Sequence, residues 1–378
     1  MKKVVFLFLF FIIAISCNSQ NNKSDFAYKK VKKNLVYKVN LGKNVTQIKF
    51  VDLATYLPAN YVQNGSVDYT SYIQKGIDEN KFVKMPNFPI LISEKGLSLK
   101  SNSVIYFNLK SKLIIAVNSL PKYQILDLKN VDNVKIYNPR LVGDRVKHTG
   151  TTGEWGMGIN IISSTNIVIY NPEIKNCWGD GIYVSGTSTN ESQDIYIKGG
   201  LLDNNRRNGV SIISGKNINV SNIYISNTNG TLPMAGIDVE PNENGNTLEK
   251  INLSKITTFN NGDAGIAIIL LNMIGKKYHE VDVNIDSHYD TFSKYALIMG
   301  GSKTGYKYPD DIKPLGGTVN IKNSQWSDNS GKVSIAADFK YTAKYKFSNL
   351  KIKTNGKDDI KETESKTKKI REQGFIVN

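Results

Sequence analysis

Gly181-Ile182-Tyr183-Val184 is one of five segments in which a glycine is followed by an apolar, a variable and a second apolar residue. The others are Gly158-Ile159-Asn160-Ile161, Gly209-Val210-Ser211-Ile212, Gly236-Ile237-Asp238-Val239 and Gly265-Ile266-Ala267-Ile268. Their spacings are 23, 28, 27 and 29 residues. Alternation of apolar and variable residues is the period of a β-strand rather than a helix. The pattern therefore predicts one strand in each of several repeated units.

A second series of alternating segments advances with the first. It contains Asn133-Val134-Lys135-Ile136, Asn166-Ile167-Val168-Ile169, Asp194-Ile195-Tyr196-Ile197, Asn217-Ile218-Asn219-Val220, Lys250-Ile251-Asn252-Leu253 and Thr318-Val319-Asn320-Ile321. Segments such as Pro172-Glu173-Ile174-Lys175 supply a third strand per unit. Units of this kind bury their apolar faces only by stacking, and three short strands per turn predict a right-handed, single-stranded parallel β-helix, an all-β solenoid. A β-propeller is the alternative, but its blades need about 40–50 residues.

The ends of such a solenoid need covers, because open strand edges invite aggregation. Residues 68–77 predict an N-terminal capping helix, with Asp68 as N-cap and Tyr69, Tyr72, Ile73 and Ile77 on one face. We assign residues 36–352 to the β-helix domain. Asparagines at the corners favour left-handed turns and hydrogen-bonded ladders. Residues 353–378 are dense in charge and predict a solvated C-terminal tail or a cap.

The N-terminus resembles a bacterial lipoprotein signal. Two lysines precede the apolar run from Val4 to Ile15, which is too short to span a bilayer as a helix. The run ends at Cys17, the residue that would carry the lipid, so residues 1–16 would be the signal peptide and 17–35 a tether. An ordinary secretory signal is the alternative. Either interpretation predicts export, and the first predicts anchoring at the outer membrane or cell surface.

Composition restricts the classes of function. Lys and Arg number 49 against 33 Asp and Glu, a net charge of +16, which favours an acidic partner. Two cysteines and three histidines argue against a disulfide scaffold and a Cys-based zinc cluster. Cys177 reads as a packing residue. Nucleic acid fits the charge, but no nucleic-acid module is evident and the export signal argues against it.

Several motifs between residues 143 and 242 resemble the pectate-lyase-like superfamily. They are Gly143-Asp144-Arg145, Gly153-Glu154-Trp155-Gly156, Cys177-Trp178-Gly179-Asp180-Gly181, Asn205-Arg206-Arg207-Asn208 and Asp238-Val239-Glu240-Pro241-Asn242. The likeness covers about residues 50–350 and implies a parallel β-helix that degrades polysaccharides. Polygalacturonases usually carry a Gly-His-Gly motif, which this sequence lacks. Their mechanism is therefore not transferred.

One outward face gathers the polar residues of the glycine-led strands. With Ile and Val inward, the residues between them point outward. The candidate catalytic residues on this face and in the preceding loops are Arg206, Arg207, Asp180, Asp238, Glu240, Tyr183, His148 and Glu154. The candidate substrate-binding residues are Trp155, Trp178, Asn160, Ser211 and Asn242. The alternatives are a stabilising charge ladder for the charged residues, corner packing for the tryptophans and an exposed loop position for His148.

Three functions suit this face. The first is β-elimination on an anionic, uronate-containing polysaccharide, in which Arg206 or Arg207 would pair with the sugar carboxylate and an Arg, a Lys, Tyr183 or His148 would take the C5 proton. The resemblance to pectate lyases adds a possible Ca²⁺ held by Asp180, Asp238 and Glu240. The second is glycoside hydrolysis by paired carboxylates. The third is a surface lipoprotein that binds glycans without cutting them. We expect the lyase.

Overall fold

The computed structural model describes residues 26–42, 45, 47–187, 189–300, 311–331, 334–335, 341–355, 357–372 and 376–377. The signal segment and Cys17 lie outside these ranges, so export and lipid anchoring stay predictions. Within the described residues, no helix combines the length and the apolar character needed to cross a membrane.

The described part of the chain is almost entirely β-structure. Its strands are β1 (Val51–Asp52), β2 (Phe82–Met85), β3 (Pro89–Ile92), β4 (Leu97–Ser98), β5 (Val104–Phe107), β6 (Lys112–Ile115), β7 (Lys122–Lys129), β8 (Asp132–Tyr137), β9 (Arg140–Val142), β10 (Trp155–Ile162), β11 (Thr165–Tyr170), β12 (Glu173–Lys175), β13 (Ile182–Ser185), β14 (Gln193–Lys198), β15 (Leu201–Asp203), β16 (Val210–Ile212), β17 (Gly215–Ser221), β18 (Tyr224–Ser226), β19 (Ile237–Val239), β20 (Leu248–Phe259), β21 (Ala264–Ile269), β22 (Glu280–Thr291), β23 (Tyr295–Gly300), β24 (Gly316–Lys322), β25 (Gln325–Ser327), β26 (Ser334–Ile335), β27 (Lys344–Ser348), β28 (Lys351–Thr354), β29 (Lys357–Asp358) and β30 (Ile376–Val377). The described residues also form two α-helices, α1 (Thr70–Glu79) and α2 (Ile360–Glu372), and three 3-10 helices, Lys33–Leu35, Leu53–Tyr56 and Leu271–Met273.

These strands form three faces of a right-handed parallel β-helix, as predicted. Sheet 1 runs β4-β7-β10-β13-β16-β19-β21-β23-β26. Sheets 2 and 3 carry the other strands, and they are joined because β20 and β22 each pass through both. Those two strands turn the corner at Lys255 and Ser287, which have φ values of 52° and 64°. Apart from the antiparallel β28–β29 pair, the paired strands are parallel.

Identical registers stack the apolar residues of successive coils. In sheet 1, Ile159 pairs with Ile182, Ile182 with Val210, and Val210 with Ile237. All four side chains are fully buried. Burying an Ile or Val stabilises the fold by about 1.5–3 kcal/mol per side chain, so the repeated column supplies much of the driving force for stacking.

The glycine that opens each repeat has a steric reason. A Cβ atom at Gly158, Gly181, Gly209, Gly236 or Gly265 would lie 2.5–2.7 Å from a carbonyl oxygen of the next coil. Only a residue without a side chain lets successive coils approach this closely.

We therefore expect Gly209→Ala to destabilise the protein by about 1–3 kcal/mol in urea unfolding, as overpacking of a core does. The new Cβ would meet Ile225 Cγ2 at 2.2 Å and Gly236 O at 2.6 Å. Gly300→Ala is the control, because its nearest neighbour is the flexible end of Ile269 at 2.9 Å. Equal losses in the two variants would contradict the steric explanation.

Asparagine ladders line the corners, which confirms the sequence expectation. Asn133 and Asn166 have φ values of 58° and 55°. Asn166 Nδ2 donates to Asn133 Oδ1 at 2.7 Å, and Asn133 Nδ2 donates to Asn102 Oδ1 at 3.0 Å. A second ladder passes from Asn227 to Asn260. Each amide thus satisfies its neighbour at a turn that asparagine tolerates better than most residues.

Helix α1 covers the N-terminal end, as predicted, although one detail differs. Tyr69, Ile73 and Ile77 are buried, but Tyr72 is 40% exposed and lies off the packed face. Asp68 Oδ1 accepts a hydrogen bond from Thr70 N at 2.8 Å, while Tyr69 occupies the N-cap position itself.

Helix α2 corrects the expectation of a solvated C-terminal tail. Ile370 is fully buried within the main apolar core, and Lys366 is also buried. Beyond α2, β30 pairs with β27, so the chain continues past the predicted end of the β-helix domain at 352. The segment is therefore a cap, the second of the two predicted possibilities.

The predicted tether is also wrong in its later part, because residues 27–39 pack along the solenoid. Asn227 makes a two-pronged contact with the main chain of Lys29, at 3.1 Å and 3.0 Å. Asn171 does the same with Val39, at 2.7 Å and 3.0 Å. Asparagines of the ladders thus bind the backbone of this arm, and these hydrogen bonds do not depend on the side chains of the arm.

Candidate functional site

A cluster of charged side chains lies at one edge of sheet 1, where loops enter three successive strands. Asp180 precedes β13, Arg207 precedes β16, and Asp238 belongs to β19. The register places Tyr183 beside Ser211 and Ser211 beside Asp238. Residues up to 58 positions apart in sequence therefore meet, as the stacking of repeats predicted. We call Glu154, Asp180, Arg207, Asp238 and Glu240 the acid cluster.

Asp180 is the centre of the hydrogen bonds in the acid cluster. Its Oδ2 accepts from Ser211 Oγ at 2.8 Å and from Arg207 Nη1 at 3.1 Å. Its Oδ1 accepts from the main-chain N of Asn208 at 3.0 Å. Burial raises the pKa of Asp180, although the Arg207 guanidinium and these hydrogen bonds act to lower it. The contacts make Asp180 a fully buried support for its neighbours rather than a group that solvent reaches.

Arg207 links the buried and exposed parts of the acid cluster. Its Nε lies 3.6 Å from Glu154 Oε2, in addition to the contact with Asp180. Burial alone would lower the pKa of this guanidinium, but the surrounding carboxylates, with Asp180 the strongest, raise it. Arg207 is therefore a permanent cation whose charge is already matched within the protein.

Asp238 and Glu240 form a close carboxyl pair on β19 and the residue after it. Asp238 is fully buried, its Oδ2 accepts from Asn208 Nδ2 at 3.1 Å, and its Oδ1 is buried without a hydrogen-bond partner. Burial, followed by the charge of Glu240, raises the pKa of Asp238 well above its usual range. Burial also raises the pKa of Glu240. Burial and the repulsion between two neighbouring carboxylates both favour the protonated form of the pair.

One further catalytic candidate, Tyr183, and two substrate-binding candidates, Ser211 and Asn160, lie on the same face as the acid cluster. Tyr183 is partly buried, and burial raises the pKa of its hydroxyl, which also hydrogen-bonds Ser185 and Asn242. Ser211 belongs to the hydrogen-bond network of Asp180. Asn160 instead donates to Asp127 Oδ1 at 2.7 Å, one coil earlier on the same face.

The remaining candidates form a separate stack. The guanidinium of Arg206 lies 3.8 Å from the ring centroid of Trp178, and the imidazole of His148 lies 3.9 Å from the same ring in stacked geometry. Both faces of Trp178 are thus covered by side chains of the protein, which favours corner packing over a sugar platform. Trp155 is 47% exposed and keeps its availability to a ligand.

His148 is not an exposed loop residue, and the expectation that it is one is wrong. Its side chain is completely buried, and Nδ1 lies 2.8 Å from Asp144 Oδ2. Asp144 also accepts from Tyr123 Oη at 2.6 Å. Sequence reasoning missed this partner, although Asp144 stands four residues before His148.

Asn208 is the second residue that sequence reasoning missed. It connects Asp180, Ser211 and Asp238 through its main chain and amide. In the sequence, only its position next to Arg206 and Arg207 pointed to a functional role. An asparagine at a corner of the solenoid is equally typical of a turn residue.

The predicted Ca²⁺ site does not fit the geometry. Within the described residues, no group of three or more Asp, Glu, His or Cys side chains is arranged to hold a metal ion. Both oxygens of Asp180 already accept hydrogen bonds from the protein. The carboxylates of the acid cluster instead surround Arg207.

Comparison with known proteins gives distant relatives. No family model matches the chain. The uncharacterized protein YclG of Bacillus subtilis (strain 168) is 31% identical over 160 residues, which are 38% of this chain and 27% of that protein. The SPbeta prophage-derived uncharacterized protein YorA of the same organism is 24% identical over 260 residues, 62% of this chain and 44% of that protein. The chain thus matches less than half the length of either curated relative.

Three solved structures share the architecture. The surface protein and adhesin PfbA of Streptococcus pneumoniae has a TM-score of 0.54 at 16% identity, covering 81% of this chain and 86% of that one. The tailspike protein gp49 of Acinetobacter baumannii bacteriophage Fri1, described as a capsular polysaccharide depolymerase, has a TM-score of 0.52 at 14% identity, covering 82% and 60%. The N-terminal fragment of bacteriophage Phi29 gene product 12 has a TM-score of 0.51 at 15% identity, covering 84% and 74%. At these identities the likeness establishes the fold, a right-handed parallel β-helix, and nothing finer.

Proposed function

We propose that the protein cleaves glycosidic bonds of a polysaccharide by acid–base hydrolysis at the acid cluster. The observation that carries this proposal is the carboxyl pair Asp238 and Glu240, whose pKa values are raised by burial, beside Glu154, whose Oε2 lies 3.6 Å from Arg207 Nε. Glycoside hydrolysis needs one carboxyl group that donates a proton and one carboxylate that acts as a base or nucleophile. The proposal agrees with the depolymerase activity described for the Fri1 tailspike, which shares only the fold.

Exposure divides the roles. Asp180 and Asp238 are fully buried, so neither contacts a polymer directly. Glu240 and Glu154 are partly exposed and flank Arg207. We assign Glu240 as the proton donor, with buried Asp238 as its partner, and Glu154 as the base or nucleophile. Arg207 faces Glu154, with Nε 3.6 Å from Oε2, and Arg207 Nη1 donates a hydrogen bond to Asp180.

Charge balance favours hydrolysis over the β-elimination that the sequence led us to expect. Elimination on a uronate requires unmatched cations at the reacting sugar, because its carboxylate must be neutralised. Here Arg207 already faces four carboxyl groups, and Arg206 points away to the main-chain oxygen of Gly153 at 2.8 Å. A uronate at the acid cluster would add a further negative charge to an acidic site. A neutral sugar unit at the reacting position avoids this repulsion.

The products distinguish the two reactions. We expect the purified protein to release new reducing ends from a susceptible polysaccharide without absorbance near 235 nm, the signal of the unsaturated uronate that a lyase makes. Alginate, pectate, hyaluronan and bacterial capsular polysaccharides are suitable substrates for this assay. Reducing ends accompanied by that absorbance would establish elimination and overturn our assignment. Saturable binding without either product would support the glycan-binding alternative.

A further inference from the structure

Two arginines beside the acid cluster, Arg145 and Arg206, are acted on only by more distant carboxylates, those of Asp203 and Glu154 respectively. Among the described residues, neither Arg145 nor Arg206 takes part in an ion pair, whereas Arg207 has two. Both side chains are partly buried. Their charges are therefore less compensated than that of Arg207, although they lie in the same region of the fold.

Main-chain oxygens hold both guanidinium groups in place. Arg145 Nη1 donates to Asn204 O at 2.8 Å and to Asn205 O at 3.0 Å. Arg206 Nη1 donates to Gly153 O at 2.8 Å, and its planar group rests on the ring of Trp178. Both guanidinium groups donate these hydrogen bonds through Nη1. The other nitrogens stay available, and none of those in Arg145 or Arg206 is a buried donor without a partner.

The two side chains lie beside the same exposed residue, Gly230. A Cβ atom at the exposed Gly230 would lie 3.1 Å from Arg206 Cγ and 3.5 Å from Arg145 Nη2. Burial, followed by the charge of Arg206, lowers the pKa of Arg145 to about 10. Two fixed cations that repel each other at an open surface are stabilised when an anion binds between them.

We propose that Arg145 and Arg206 form an anion-binding subsite for a carboxylate or sulfate group of the glycan. The identity of the ligand as a glycan rests on the proposed function, but the anion site itself does not. Arg206 directly precedes Arg207, so the subsite adjoins the acid cluster, and Glu154 acts on Arg206 from beyond ion-pair distance. The arrangement selects a polymer in which a charged sugar neighbours the unit that is cut. A basic protein can then bind an anionic polymer although its cleavage site is acidic.

The subsite is tested by titrating the full chain with sodium sulfate and sodium galacturonate at constant ionic strength. Tryptophan fluorescence is the readout, because Trp178 contacts Arg206. We expect saturable binding in the wild type, and affinity at least about tenfold weaker in Arg145→Gln and in Arg206→Gln, since each loses a charge-assisted hydrogen-bond donor. Arg371→Gln is the matched control. This exposed arginine lies on α2, and among the described residues its side chain donates a hydrogen bond only to Val377 O.

Each outcome decides the question. No saturable response in the wild type, or affinities within twofold of the wild type in both folded variants, overturns the subsite. An equal loss in Arg371→Gln also overturns it, because the effect would then be one of net charge. Cooperative thermal unfolding verifies that each variant is folded. Arg145→Lys keeps the positive charge but loses the planar, bidentate guanidinium, so its affinity for the anion should lie between those of the wild type and Arg145→Gln. The same titration in Glu240→Gln should match the wild type, so the anion site can stand even if no cleavage is found.

Discussion

Glu240→Gln is expected to lower kcat on the cleaved glycan by about 10²- to 10⁴-fold, the usual contribution of general acid catalysis. The substitution keeps the size of the side chain but removes its transferable proton. Binding of the glycan should change little, because the loss concerns a step that occurs in the transition state. The measurement is the release of reducing ends at saturating substrate.

The dependence of the cleavage rate on pH provides a second test of Glu240. Burial raises the pKa of Glu240 above the ordinary value for a glutamate, so the protonated form persists to higher pH. Because the acid must carry its proton, the rate should fall as the pH rises through that raised pKa. Glu173→Gln is the control, since Glu173 lies on β12, outside sheet 1, where it contacts Arg140 of β9 and Lys38. Activity of Glu240→Gln within tenfold of this control would remove Glu240 as the acid.

Asp180→Ala should destabilise the folded protein by about 3–5 kcal/mol, as the loss of one member of a buried ion pair does. The substitution leaves Arg207 Nη1 and Ser211 Oγ without their acceptor in a region closed to water. It also frees Arg207 to move away from Glu154, so activity should fall together with stability.

Urea unfolding measures this effect, and Glu249→Ala provides the comparison. Glu249 lies on β20, is 48% exposed and contacts Lys216 at 3.9 Å. An exposed pair of this kind contributes less than about 1 kcal/mol. A loss in Asp180→Ala no larger than that in Glu249→Ala would show that Asp180 does not organise the acid cluster.

The sequence was a good guide to the fold because the solenoid repeats a local rule. Alternation, glycine at one corner and asparagine at the others recur in coil after coil, so each repeat provides independent support for the same interpretation. The ends of the solenoid were harder to predict. Residues 27–39 and α2 are rich in lysine and look solvated, yet they pack through backbone contacts and through a few apolar residues such as Ile370.

The candidate site was predictable in position but not in detail. The repeat length alone brings Asp180, Arg207 and Asp238 to one edge of sheet 1, because residues at equivalent points of successive coils must superimpose. The side chains of two neighbouring arginines, however, make different contacts. Arg207 turns toward carboxylates, whereas Arg206 turns toward Trp178 and Gly153. No pattern of residue types distinguishes such neighbours.

The order of residues along this chain was thus sufficient to specify a parallel β-helix and the edge at which its charged loops converge, since both follow from periodicity and the size of glycine. The burial of Asp180 and Asp238, the pairing of His148 with Asp144 and the unmatched charges of Arg145 and Arg206 required the folded chain. The physical reason is that hydrogen bonding and desolvation depend on which atoms are within about 3 Å of one another, a distance set by coils that the linear sequence keeps far apart.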